Sequence, residues 1–90
     1  MSLTTRIAVI SIIVEKEGLR EDVNRLLQEY SQHIVGRLGI PYRKRELSVI
    51  VVVVDAPTDA VSALTGKLGL LNGVSAKTIF SKNEFLVEES

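Results

Sequence analysis

Arg37 is the side chain in this sequence best placed to hold an anion. It stands between Gly36 and Gly39, and a guanidinium flanked by glycines can pair with a carboxylate while a ligand or another backbone comes close. The same two glycines would equally mark a β-bulge. Gly18 and Leu19 follow one apolar run and precede an amphipathic one, which places the unpaired N–H groups of a helix start beside Gly18, where negative charge is favoured. A turn glycine with positive φ accounts for Gly18 as well. Gly18, Leu19, Gly36, Arg37 and Gly39 are therefore the candidate ligand-binding residues, and Arg37 is the one group worth testing in an enzyme.

Other polar clusters carry less. Thr65, Gly66 and Lys67 superficially suggest a phosphate loop, but the earlier glycine of that motif is missing and the triplet falls inside a helical pattern. A glycine within a helix costs about 1 kcal/mol against alanine, so Gly66 is expected at a close packing contact. Arg43, Lys44 and Arg45 can meet phosphate, yet three cations in a connection read first as a solvated turn that discourages edge pairing. His33, the only histidine, falls after the first predicted helix, where a cation suits the helix end. Glu15, Glu17, Glu21 and Asp22 read as surface charge. No catalytic set is expected, and with no cysteine no metal or cofactor site either.

These residues depend on a short series of elements. Ile7 to Val14 is β-branched and almost wholly apolar, a strand, and it closes on a turn at Glu15 to Gly18. Leu19, Val23, Leu26, Leu27, Tyr30 and Ile34 then recur at steps of three and four and predict an amphipathic helix. In the next segment Ile34, Leu38, Ile40 and Tyr42 share one parity, predicting a strand with one buried face, and Pro41 puts it at a sheet edge. Leu47 to Val54 is apolar on both parities and predicts a central strand. Asp55, Pro57, Thr58 and Asp59 start a second helix with Val61, Leu64, Leu68 and Leu71 on its apolar stripe, ended by Asn72 and Gly73. Val74, Ala76, Thr78 and Phe80 form the inward side of a last strand.

The order strand, helix, strand, strand, helix, strand is the α+β, ferredoxin-like βαββαβ pattern: a four-stranded antiparallel sheet with two helices on one face. Right-handed crossovers put the first and third strands in the middle, and those are the two segments that are apolar on both parities. The domain is expected over residues 4–82, with residues 83–90 a C-terminal tail in which Phe85, Leu86 and Val87 can dock.

Such a sheet has an open face, and here it carries either Ile7, Val9 and Ile13 or Ala8, Ile10, Ile12 and Val14 from the first strand. Both sets are apolar. A 90-residue chain without cysteine has a thin core and no disulfide to reinforce it, so a homo-oligomer, dimer or tetramer, joined through that face is expected. Eleven basic and eleven acidic residues cancel, and aromatic residues are 4% of the chain. Neither a field for nucleic acid nor a stacking platform is indicated. No run approaches the ~18 apolar residues of a membrane span, and a cytoplasmic location is the expectation.

Gly18 and Leu19 after the first strand, with Gly73 and Val74 before the last, resemble an ACT domain, a βαββαβ module that commonly binds amino acids or other small effectors at subunit interfaces. Arg37, Gly39 and Pro41, together with Gly66, Lys67, Leu68, Gly69, Gly73, Val74, Lys77 and Thr78, resemble the small stand-alone proteins called iron-only hydrogenase system regulators, whose ACT-like fold is similar to the C-terminal domain of the nickel-responsive repressor. The resemblance runs from about Arg6 to Lys82. It implies a regulatory module that senses a small effector rather than an enzyme, the alternatives being a small ferredoxin-like enzyme and a purely structural assembly module. It does not imply direct nucleic-acid binding, because the chain begins at the first strand without the repressor's ribbon-helix-helix segment, nor a nickel site, since the repressor's several histidines and cysteine have no counterparts here.

Overall fold

A computed structural model describes residues 4–87. The elements are β1 (Thr4–Val14), α1 (Arg20–Glu29), β2 (Ile34–Tyr42), β3 (Leu47–Ala56), α2 (Thr58–Gly69), β4 (Val74–Phe80) and β5 (Phe85–Leu86). The sheet runs β2-β3-β1-β4 with antiparallel pairing between these strands, so β1 and β3 are central as expected. Both helices pack on one face, where Ala8, Ile10, Ile12 and Val14 of β1 and Ile50, Val52, Val54 and Ala56 of β3 meet Val23 and Leu27 of α1 and Val61, Leu64 and Leu68 of α2. Two valine- and isoleucine-rich strands suit the middle of a sheet because branched side chains pack well on a pleated surface.

The first helix is shorter than its apolar stripe. It ends at Glu29, a single tight turn at Ser31–His33 follows, and Ile34 opens β2 rather than closing α1. Lys67 of α2 lies 5.2 Å from the Tyr30 ring centroid, and the hydrogen bond with Tyr30 raises the lysine pKa above its usual value. This contact links the end of α1 to α2.

A bulge alters the expected face of β2. Ile34 pairs with Val54, but Gly36 pairs with Val53, so one extra residue, Val35, is absorbed between them. A one-residue slip turns every following side chain over. Ile34 therefore packs against the core, while Leu38, Ile40 and Tyr42, opposite Val51, Val49 and Leu47, lie on the face away from the helices. Their parity was legible; the buried face assigned to them was not.

At one end of the sheet the turn after β1 and the turn before β4 press together. The Glu15 N–H donates to the Gly73 carbonyl at 2.7 Å. A Cβ on Gly18 would lie 2.9 Å from both the Gly73 oxygen and Val14 Cγ1, and Gly73 has φ +72°. At the other end Phe85 and Leu86 pair with Thr5 and Thr4. The tail thus forms a short fifth strand. Arg6 fastens it, with Nη2 3.2 Å from Glu84 Oε1 and Nη1 donating to the Ser81 carbonyl at 3.5 Å.

Gly66 does not sit at a close contact, since nothing lies within 4 Å of a Cβ built there. This contrast yields a prediction for thermal unfolding. Gly18→Val should destabilise by about 2 kcal/mol through overpacking and lower Tm by roughly 10 °C, whereas Gly66→Ala should raise Tm by a few degrees, because alanine suits a helix interior better than glycine. Equal effects of the two substitutions would contradict the packing described.

Candidate functional site

The connection from β1 to α1 and the connection from β2 to β3 leave the sheet at the same end and enclose a cleft of about 320 Å³. The first contributes Glu15, Lys16, Gly18 and Arg20; the second contributes Arg43 and Glu46, with Pro41 on the adjoining strand. Glu46 takes the left-handed conformation, φ 56°, at the close of the short turn Arg43–Arg45. Lys16 Nζ lies 3.6 Å from Glu46 Oε2, both side chains well exposed, so this pair contributes little to stability. Among the described residues neither Arg20 nor Arg43 has a carboxylate within ion-pair distance.

Local sequence accounts for the geometry. Gly18 permits the backbone of the β1–α1 turn to touch the Gly73 turn, and α1 begins at once behind it. Leu19, its N-cap residue, supplies no side-chain cap, so the first N–H groups of α1 are left to solvent or a ligand. Arg20 and Arg43, lining one cleft with the Gly18 turn and without a carboxylate at ion-pair distance among the described residues, carry guanidiniums of the kind that receive a carboxylate or phosphate in bidentate fashion.

Of the residues singled out in the sequence, Gly18 lines this cleft and the others do not. Leu19 is 57% exposed. Gly36 follows the bulge opposite Val53, and Gly39 stands opposite Ile50, each with open space where a side chain would be. Arg37 points to the helix side, where Nη2 donates to Asn24 Oδ1 of α1 at 2.7 Å; its partner is an amide rather than a carboxylate. The five are not brought together. Arg20 was masked in the sequence by its place on the polar side of an amphipathic helix. Arg43 was visible as part of a basic run, but its nearness to the first turn depends on strand pairing across the sheet.

A larger, open trough of about 1060 Å³ lies at the opposite end, lined by Thr5, His33, Asp55, Pro57 and residues of the β5 segment. His33 Nε2 is 3.4 Å from Gln32 Nε2. No group of three or more His, Cys, Asp or Glu side chains is arranged to hold a metal ion among the described residues, and none of the described ionisable side chains is buried. No described helix is long and apolar enough to cross a membrane.

Comparison with known proteins agrees with this architecture. The model of the TM1266-like family, described as "Iron-only hydrogenase system regulator, putative", matches residues 6–78. Among solved structures, the uncharacterized protein TM1266 from Thermotoga maritima is similar with a TM-score of 0.83 and 37% identity, covering 87% of this chain and 99% of that one. No curated protein matches the chain. A ferredoxin-like α+β fold, a family model spanning most of the sequence and a solved neighbour of nearly the same extent lead to one assignment: the chain belongs to the TM1266-like family.

Proposed function

We propose that this chain is a cytoplasmic regulatory module of an iron-only hydrogenase system, working as a homo-oligomer and sensing a small anionic effector in the end cleft. The observation that carries the effector reading is the convergence of Arg20 and Arg43, neither ion-paired among the described residues, on the Gly18 turn. Family membership supports the regulatory part. The site differs from the one expected between Gly18, Leu19 and the Gly36 to Gly39 segment: Gly18 is retained, and the facing wall is Pro41, Arg43 and Glu46 instead.

A ligand here would touch both the α1 turn and the β2–β3 connection. Binding would tie together two segments that otherwise meet mainly through an exposed Lys16–Glu46 ion pair. The consequence is local: the end of β2 and the start of α1 become less mobile, and any partner that reads that end of the molecule would respond to the change. Charges at such an exposed site are readily screened by salt, so affinity should fall as ionic strength rises.

Thermal-shift measurements with amino acids, simple phosphates, nucleotides and metal ions test the reading. A carboxylate- or phosphate-bearing compound should raise Tm by more than about 10 °C when present at ~100 times its Kd, since such binding adds about 2.7 kcal/mol. Replacing Arg20 and Arg43 together by alanine should leave Tm without ligand nearly unchanged and abolish that rise. Stabilisation by no compound, or equal stabilisation of the double variant, would contradict an effector at this cleft.

A further inference from the structure

The strand register assigns every side chain on the sheet face away from the helices. In the row of Ile7, β3 contributes Asp55; in the row of Val9, β2, β3 and β4 contribute Gly36, Val53 and Ile79; in the row of Ser11 they contribute Leu38, Val51 and Lys77; and in the row of Ile13 they contribute Ile40, Val49 and Ser75. Tyr42 and Leu47 complete the far end. The face is thus a broad aliphatic field whose most uncovered members are Leu38 at 58% and Ile79 at 73% exposure. Its two charged side chains within these rows are Asp55 and Lys77, of opposite sign. Neither belongs to an ion pair among the described residues.

We infer that a second copy of this chain covers the face through an isologous, two-fold contact in which Asp55 of each copy meets Lys77 of the other. The positions of the two charges carry the choice of occupant. Asp55 lies on β3 in the row of Ile7, and Lys77 lies on β4 in the row of Ser11. β1 runs between those strands, and Val9 falls between those rows, so Val9 occupies their midpoint. A two-fold axis that lays each charge over its opposite in the partner must pass over Val9, within the aliphatic field. One axis therefore satisfies both charges and keeps the apolar surfaces in register, as an isologous interface requires.

Size and charge agree. Four strands at about 4.8 Å spacing and some eight residues at ~3.3 Å each give a face of roughly 500 Å² in projection, or about 1,000 Å² for two copies. That reaches the size of a specific interface, and the accessible surface of projecting side chains exceeds the projection. The chain carries no formal net charge, so two copies approach without long-range repulsion. Assembly through this face deepens the oligomeric part of the functional reading and is independent of its ligand part, so a failed effector screen leaves it standing.

Sedimentation of the full chain and its variants decides the matter, with circular dichroism to confirm folding. The wild type should be dimeric or larger at about 10 µM. Val51→Glu, which puts a charge between Leu38 and Ser11 near the middle of the face, should weaken association at least ~100-fold, because a charge buried at a two-fold contact lies near its own copy. Asp55→Lys and Lys77→Asp alter exposed side chains and keep the test valid should Val51→Glu fail to fold. Each alone should weaken association several-fold, and the two combined should restore it. A wild type that is monomeric at 100 µM, or an assembly indifferent to folded Val51→Glu, would overturn the inference; a double charge exchange no better than either single change would overturn the reciprocal pairing.

Discussion

The structure depends on a sheet whose two middle strands are apolar on both sides while the two helices cover only one. Burial of an aliphatic side chain contributes about 1.5–3 kcal/mol, and a domain of this size is stable by only about 5–15 kcal/mol. The covered side uses that energy fully, with Ala8, Ile10, Ile12, Val52 and Val54 almost inaccessible to solvent. The open side leaves comparable chemistry unused. The bulge at Val35 increases the imbalance, because it turns Leu38, Ile40 and Tyr42 toward the side the helices do not reach. An uninterrupted strand would have placed them on the other side. A local backbone irregularity thus enlarges the surface available to a partner.

The two ends of the sheet are built differently. At one, Gly18 and Gly73 bring two turns into backbone contact, and this tight base places the first turn of α1 opposite the basic turn after β2. At the other, a single arginine from β1 holds Ser81 and Glu84 and guides the chain into a two-residue strand. Arg6 and Glu84 are partly exposed, so the clasp is weak and the C-terminal segment is the least firmly attached element. Rigid construction beside the cationic cleft and a light attachment at the distant trough are consistent with ligand recognition at the first end.

Much of this was legible in the residues, and the failures have physical causes. Ile7 to Val14 and Leu47 to Val54 announced central strands because nothing in them tolerates solvent on either side. The helix stripes were clear because their apolar residues keep the helical step; Ile34 extended the first of them by coincidence, being the opening residue of the next strand. The bulge could not be located from parity alone, since one extra residue leaves the apolar alternation of Leu38, Ile40 and Tyr42 intact while reversing the face it serves. Gly36 and Arg37 were read as neighbours of a ligand, but the glycine follows the bulge and the guanidinium is engaged by Asn24. The cationic cleft was harder still. Arg20 and Arg43 lie more than twenty positions apart, and only the folded sheet brings them to one place.

If a second copy covers the open face, as inferred above, the chain is one half of a sandwich whose other half is its twin. Solvent paramagnetic relaxation of valine, leucine and isoleucine methyl groups, followed as the protein is concentrated, tests this most directly. Val9, Val51 and Leu38 should lose solvent relaxation together as the protein associates, approaching the protected core methyls of Val52 and Leu64. If those open-face methyls keep the same high relaxation from dilute to concentrated solution, the sheet has no partner of its own kind and the account is wrong.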